Sequence, residues 1–203
     1  KYCFFSKIKY NLNMSYTLPF EAKHLSKKIK HTDQVFLIGS CFTEHMTDYL
    51  NQAGFDTLSN PHGILFNPLS VTKSINSYVN SLHKKEEDLF YLNELWNSWD
   101  HHTRFSNIDK ETALTEMNAS IDKAHTYLKQ CDWLVITLGS SFQYHLVENK
   151  YPVANNHRAP GQWFEKELLS ITEIQKALSE SLENVKAINP NIEIIFTISP
   201  VRH

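Results

Sequence analysis

The sequence predicts an α/β fold in which a mainly parallel sheet is covered by helices on both faces. Three continuous apolar runs have the length of buried strands and lie at 33–40, 132–139 and 191–199. Long segments with the apolar spacing of helices separate these runs. The first two runs reach Gly39 and Gly139, and glycine permits a sharp turn where a strand ends.

Four segments are predicted to be helices, and two of them carry clear local signals. Residues 42–53 place apolar side chains at three- and four-residue steps, and Gly54 follows as a helix stop. Residues 171–188 begin with a capping box that runs from Ser170 to Glu173. The other two predicted helices cover 69–82 and 112–129.

The remaining segments predict shorter strands and loops. Residues 55–59 are expected to form a short second strand, and 142–147 with 151–154 are expected to form a hairpin. Residues 86–106 are rich in aromatic side chains and histidines without a clean period. We expect that segment to be a strand or loop excursion from the main sheet.

Composition excludes several classes of protein. A length of 203 residues suits one domain. The 20 basic and 22 acidic side chains give a net charge of −2, whereas a dedicated nucleic-acid binder would show a basic stripe. No apolar run approaches the ~18 residues of a membrane span, and the three cysteines form no metal-spaced pair. We therefore predict no nucleic-acid partner, no membrane span, no metal and no cofactor, and the oligomeric state stays open.

The sequence also gives predictions for the two ends of the chain. Residues 1–13 contain three lysines but lack the continuous apolar core of a signal peptide. We expect 1–13 to be an extension before a natural start at Met14, and 14–203 to form a single domain that lacks its C-terminal part. Because we find no export signal in this sequence, we predict a cytoplasmic location.

One edge of the predicted sheet collects the candidate site. Ligands of parallel sheets bind beyond the carboxyl ends of the strands, where Ser40, Gly139 and Ser199 fall. A serine between a strand and a helix presents its hydroxyl at that edge, beside helix N–H groups that can bind an oxyanion. The alternative is that Ser40 only caps the following helix. Cys41 is interpreted as a small packing residue rather than as the nucleophile.

Six segments in the same order resemble the GSCFA-domain family. They are FLIGSCFTEHM (36–46), NPHGILFNPLS (60–70), WNSWDHHTRFS (96–106), VITLGSSFQY (135–144), VANNHRAPGQWFEKELLSITEI (153–174) and IFTISPVRH (195–203). In the first of these segments, Thr43 stands in place of the final Ala of the family string. That family is placed in the SGNH (GDSL-like) hydrolase superfamily, so the resemblance implies a flavodoxin-like, three-layer α/β/α sandwich.

The resemblance also implies a serine mechanism. Ser40 matches the nucleophile, and its N–H with that of Gly63 would form an oxyanion hole. Gly139 lies where the superfamily usually carries Gly-x-Asn-Asp, but this chain has Gly-Ser-Ser-Phe and so lacks that Asn donor. Asn155 or Asn156 could supply it; the alternative is a structural loop whose polar side chains satisfy backbone groups.

The general base implied by the resemblance is an Asp-x-x-His string that follows SPVRH in the family and is not contained in this chain. We therefore expect the chain as it stands to be inactive, with His203 contacting substrate rather than acting as the base.

The adjacent histidines 101 and 102 should face opposite ways, which argues against a shared metal ion. The predicted substrate contacts and rim of the site are Asp100, His102, Gly139, Ser140, His157 and His203.

The aromatic side chains near this rim can be interpreted in two ways. Trp96, Trp99 and Phe105 could form a wall that stacks on a sugar or an aryl group, or they could belong to the core. The predicted function is a serine esterase that acts on a small acyl ester, such as an O-acetyl carbohydrate, through an acyl-enzyme on Ser40. The alternatives are an acyltransferase of the same fold and a non-catalytic carbohydrate-binding module.

Overall fold

A computed structural model describes residues 26–198, and within them it has a mixed α/β fold with a parallel four-stranded sheet and four α-helices. The elements in chain order are β1 (Gln34–Gly39), α1 (Cys41–Gln52), β2 (Asp56–Ser59), α2 (Pro68–Val79), β3 (Phe90–Leu92), β4 (Leu95–Asn97), α3 (Lys110–Leu128), β5 (Trp133–Leu138), β6 (Phe142–Leu146), β7 (Pro152–Val153), β8 (Phe164–Leu168), α4 (Ile171–Ile188) and β9 (Glu193–Ile198).

The predicted parallel sheet is confirmed. Its strands lie in the order β2-β1-β5-β9, and every neighbouring pair is parallel. All four predicted helices are present, and their ends differ from the expected ones by at most a few residues. The expectations for residues 1–13, Ser199 and His203 fall outside the described part of the chain.

Alternation along β1 explains why the strand is apolar throughout. Phe36 and Ile38 enter the larger core cluster, which also holds apolar side chains from α2, α3 and α4. Val35 and Leu37 enter a second cluster with Met46 and other side chains from α1. Because each face of a strand must meet a different layer, a strand buried on both sides has no polar alternation. The sheet therefore carries α1 on one face and the other three helices on the opposite face.

A smaller antiparallel sheet follows β5 and was only partly predicted. The expected hairpin is confirmed as β6 pairing with β7. A third strand, β8, pairs along the other side of β6 in the register Phe142↔Leu168. Its sequence, FEKEL, is largely exposed and carries no apolar run, so the periodicity gave no strand signal.

Residues 86–106 form the expected excursion, built around a tight hairpin. Strands β3 and β4 are joined by Asn93 and Glu94, which have φ of 52° and 63°. Positive φ at both central residues is the pattern of the turn type that matches strand twist in hairpins. Trp96 and Phe105 pack from this excursion against a third small core cluster under α3. Trp96 and Phe105 are therefore core residues, which agrees with the second of the two interpretations of these aromatic side chains.

Of the helices in residues 26–198, none combines the length and apolar character needed to cross a membrane.

Candidate active site

Ser40 lies between the carboxyl end of β1 and the first turn of α1, at the position the sequence predicts. Gly39 has φ of 138°, and a β-carbon there would collide with the carbonyl oxygen of Thr137 on β5. The Gly39 N–H donates to Asn60 Oδ1 at 2.8 Å. Two neighbouring strands and a buried side chain therefore fix the turn that carries Ser40.

The Ser40 side chain is not used as a helix cap. Ser40 occupies the N-cap position of α1 in extended conformation, yet its hydroxyl makes no capping hydrogen bond. The residue is only 6% exposed, and its N–H donates to Thr137 O over a long 3.3 Å. The capping alternative thus explains the backbone position of Ser40 but gives its hydroxyl no role.

The loop that contains Gly63 runs beside the same strand end. Asn60 N–H donates to Leu37 O at 2.9 Å, and Leu65 N–H donates to Gly39 O at 2.9 Å. Gly63 has φ of 87°, and a β-carbon there would collide with the side chain of His102. Its N–H donates to Asn60 O at 2.7 Å. The structure therefore places Gly63 and His102 in direct contact and joins their loop to the Ser40 turn.

Gly139 and Ser140 bring the end of β5 to the start of α2. Their two N–H groups both donate to Phe66 O, at 3.0 and 2.9 Å. A pocket of about 430 Å³ opens at this point and unites Ser140 with the predicted Asn155 and Asn156. It is lined by Phe66, Asn67, Ser140, Phe142, Tyr144, Val153, Ala154, Asn155, Asn156 and Lys166.

His157 is a buried structural link rather than part of an open rim. Its Nε2 lies 2.8 Å from Ser98 O, and its Nδ1 lies 3.3 Å from Thr103 Oγ1. Its own N–H donates to Asn155 Oδ1 at 3.0 Å. Burial holds the pKa of His157 below its ordinary value, so the imidazole stays neutral. The alternative hypothesis of a structural loop therefore accounts for His157 and for the Oδ1 atom of Asn155.

Asp100 lies in a buried charge cluster. Its carboxylate accepts from Lys73 Nζ at 2.6 Å, from Lys84 Nζ at 2.5 Å and from Tyr151 Oη at 2.8 Å. Burial alone would raise the pKa of Asp100, but the two ammonium groups outweigh it and hold the pKa below its usual value. This placement differs from the open rim position expected for the carboxylate.

His102 and Asp100 do not share partners, although residues two apart on an extended segment lie on the same face. His102 Nδ1 accepts from Arg104 N–H at 3.3 Å. The Arg104 guanidinium donates to Glu44 Oε1 at 3.0 Å and also to Asn60 O. His102 is thus tied to the first turn of α1 and the Gly63 loop, whereas Asp100 belongs to the lysine cluster.

His101 faces away from His102, as the alternation predicted, and stacks on His62. Their ring centroids lie 3.9 Å apart with an interplanar angle of 16°. Both residues are buried, and His62 Nδ1 and both ring nitrogens of His101 have no hydrogen-bond partner among residues 26–198. Burial lowers the pKa of His62 to about 3 and lowers that of His101 well below its ordinary value. Both imidazoles are therefore neutral at physiological pH.

One Asp-x-x-His string does occur in the chain, at 122–125, but it lies within α3. His125 Nδ1 lies 2.7 Å from Tyr78 O, and Asp122 pairs with His83 at 2.6 Å. Neither of these hydrogen bonds involves Ser40. In the part of the chain that the structure covers, no three His, Cys, Asp or Glu side chains converge as a metal site.

The profile of the GSCFA family matches residues 34–203. The chain belongs to the GSCFA family. The match includes the Ser40 turn, the Gly63 loop, Gly139 and the 155–157 segment. No curated protein and no solved structure matches this GSCFA chain.

Several residues of this region were not predicted from the sequence. Asn60 anchors Gly39 from a left-handed conformation with φ of 43°, which asparagine tolerates better than most residues. Its signal was the Asn-Pro-His-Gly string, which indicates a turn but not a buried anchor. Lys73, Lys84 and Tyr151 come from distant segments, and only the fold brings them to Asp100.

Proposed function

We propose that this GSCFA protein is a serine hydrolase of the SGNH type, with the three-layer flavodoxin-like sandwich of that superfamily. It would act on a small acyl ester, with an O-acetylated carbohydrate as the substrate class. The observation that carries the proposal is the Ser40 turn: a serine hydroxyl without a capping role stands at the carboxyl end of a parallel strand and at a helix N-terminus. Gly39 supplies the positive-φ turn that carries this serine, at a position where a β-carbon would collide with Thr137 O.

The first chemical step is the attack of Ser40 Oγ on the ester carbonyl carbon. The Oγ–C bond forms as a general base takes the hydroxyl proton, and collapse of the tetrahedral intermediate breaks the bond to the alcohol, which leaves with that proton. Water then attacks the acyl-enzyme, releases the acid and restores Ser40. In this proposal the base is the histidine of the family's Asp-x-x-His string, as the resemblance implies.

Stabilisation of the oxyanion would come from backbone N–H groups at the Ser40 turn. The Ser40 N–H is the first candidate, because its present bond to Thr137 O is long at 3.3 Å and a charged oxygen would compete well for it. Gly63 N–H has a shorter bond of 2.7 Å to Asn60 O, so its participation requires the loop to turn. The pocket amides of Asn155 and Asn156 are the candidates for a third donor.

A fluorophosphonate probe tests the proposal, because it reacts with activated serines. The protein that includes the family's Asp-x-x-His string should be labelled on Ser40, and Ser40→Ala should abolish the labelling. Ser141→Ala is the matched control, since Ser141 is an exposed serine that follows β5 at the same edge of the sheet. Labelling that persists in Ser40→Ala, or no labelling of the folded protein, would count against a serine hydrolase.

Hydrolase and transferase share the acyl-enzyme and differ in what captures it. Release of the acyl group at an unchanged rate when a sugar acceptor is added indicates a hydrolase. Faster turnover together with an acylated sugar indicates a transferase. Product analysis by mass spectrometry distinguishes the two.

A further inference from the structure

A second pocket lies on the outer side of the β3–β4 hairpin and the β6–β7 turn, and the Ser40 mechanism gives it no role. Its volume is about 530 Å³, within the range of roughly 300–1,000 Å³ that small-molecule sites occupy. It is lined by Phe90, Tyr91, Trp99, Leu146, Val147, Glu148, Asn149, Gln162 and Trp163. None of these residues lines the pocket that holds Ser140.

Four of the nine residues that line this pocket are aromatic, and two of the four are exposed. Phe90 and Trp99 stack with ring centroids 3.7 Å apart and form a continuous inner wall. Tyr91 and Trp163 are 58% and 41% exposed. Exposed rings that converge on one concavity point to a ligand, whereas single exposed apolar side chains are ordinary.

The outer ring, Trp163, is held in place by its backbone. Its N–H donates to Pro160 O at 2.9 Å, and its carbonyl accepts from Val147 N–H at 2.9 Å. With the backbone fixed, only the two side-chain torsions of Trp163 remain to be ordered when a ligand stacks on the ring.

Polar side chains complete the pocket in the pattern that suits a neutral sugar. Glu148, Asn149 and Gln162 are exposed and offer a carboxylate and two amides, which can pair with neighbouring hydroxyl groups. Asn149 Oδ1 already accepts from Tyr151 N–H at 3.0 Å, which orients that amide. Within the described part of the chain the lining holds one carboxylate and no cationic side chain, so it does not suit an anionic ligand.

A pyranose ring matches both halves of this surface. Its axial C–H face is apolar and packs on an aromatic ring, whose negative face attracts the polarised C–H groups, while its equatorial hydroxyls reach the amides. A purely aromatic ligand would use the rings but make no hydrogen bonds to the amides. The aromatic pocket also adjoins the pocket that holds Ser140, since Trp99 O accepts from the N–H groups of Ala154 and Asn155 at 2.9 and 3.2 Å.

We propose that this aromatic pocket, between the β3–β4 hairpin and the 161–163 turn, binds a neutral pyranose unit of a carbohydrate, stacked on Trp163. It would hold a sugar chain whose acylated unit reaches the Ser40 edge; that link rests on the proposed function, whereas the binding itself does not.

Calorimetric titration with cellotetraose and xylotetraose tests the proposal, because their equatorial hydroxyls leave flat apolar faces. We expect saturable binding to the purified protein with a dissociation constant in the millimolar range or tighter. Trp163→Ala should weaken binding about tenfold or more, since an aromatic ring that the ligand covers carries much of the energy of such a site. Trp163→Phe keeps a ring and should bind more tightly than the alanine variant, and Gln162→Ala should weaken binding without unfolding the protein.

Tyr49→Ala is the matched control, because Tyr49 is an exposed aromatic residue on α1 that does not line the pocket. It should leave binding unchanged. No saturable binding of either tetrasaccharide would overturn the proposal, as would binding that Trp163→Ala and Gln162→Ala leave intact. Equal or tighter binding of a trigalacturonate would overturn the preference for a neutral sugar.

Experiments can distinguish failure of the hydrolase proposal from failure of the sugar-binding proposal. Ser40→Ala should bind the tetrasaccharides as tightly as the unaltered protein, because Ser40 does not line the aromatic pocket. Loss of sugar binding in Trp163→Ala with Ser40 labelling retained would leave the hydrolase intact. Sugar binding without Ser40 labelling would instead support a carbohydrate-binding protein.

Discussion

Gly39 and Thr137 lie so close across neighbouring strands that the Thr137 carbonyl oxygen occupies the space of any β-carbon on Gly39. The same carbonyl accepts from the Ser40 N–H. One oxygen on β5 therefore restricts the glycine position and holds the serine N–H of the turn, and the positive φ of Gly39 is a second reason why a side chain does not fit there.

Replacing Gly39 should be costly because both its space and its backbone conformation exclude a side chain. We expect Gly39→Ala to lower the free energy of unfolding by about 3 kcal/mol or more, as strands β1 and β5 must separate. Urea unfolding followed by circular dichroism measures the change. Gly161→Ala is the matched control, since no described residue lies within 4 Å of a β-carbon there, and it should change stability by less than about 1 kcal/mol. Equal effects at the two positions would contradict the steric account.

Ser40 and Ser170 both stand at helix N-caps but use their side chains differently. Ser170 Oγ accepts from Glu173 N–H at 3.2 Å within a capping box, whereas the Ser40 hydroxyl makes no cap bond. We expect Ser170→Ala to cost about 1 kcal/mol of stability and Ser40→Ala to cost less than about 0.5 kcal/mol. Thermal unfolding of the two variants compares them directly. A larger loss for Ser40→Ala would mean that its hydroxyl has a structural role.

Asp100 should be the most sensitive carboxylate of the described residues. Asp100→Asn keeps the shape of the side chain but leaves two ammonium groups without their counter-charge, and Lys84 is only 14% exposed. Removing one partner from a buried ion pair costs about 3–5 kcal/mol. Chemical unfolding at neutral pH should show a loss of that order.

The matched control for Asp100 is Asp122→Asn. Asp122 pairs with His83 at the surface, and its side chain is 55% exposed. Solvent screens such a pair, so the loss should stay below about 1 kcal/mol. If the two variants lose similar stability, the lysine cluster does not depend on its carboxylate.

Local sequence signals were sufficient for the sheet and the helices. The apolar runs at β1, β5 and β9 and the capping box at Ser170 are read from neighbouring residues, and the structure confirms each of them. Strand β8 was missed because its pairing with β6 depends on backbone contacts and not on an apolar pattern. A strand held only by its neighbour leaves little trace in its own sequence.

The candidate site was predictable in position but not in its contacts. Gly39, Ser40 and Gly139 could be placed because strand ends of a parallel sheet share an edge. The burial of Asp100 and His157 could not be foreseen, since their partners Lys73, Lys84 and Ser98 reach them only after the loops have packed. Polar residues in a loop look alike in sequence whether they face solvent or one another.

The stacked pair His62 and His101 predicts how stability depends on pH. Burial lowers the pKa of His62 to about 3 and that of His101 well below normal, whereas both should titrate near 6.5 when the chain is unfolded. Between these values the unfolded chain binds protons that the folded protein does not, so stability falls as the pH drops below about 6.5. The low pKa of Asp100 adds a further loss only at pH values below about 4.

Urea unfolding midpoints between about pH 4 and 8 measure this dependence. The free energy of unfolding should rise with pH up to about 7, and the contribution of this pair should then be constant, because both imidazoles are neutral in either state. His62→Leu removes one of the two buried bases and should flatten the slope between about pH 4 and 6.5. An unchanged slope in that variant would mean that His62 takes up its proton in the folded protein as readily as in the unfolded chain.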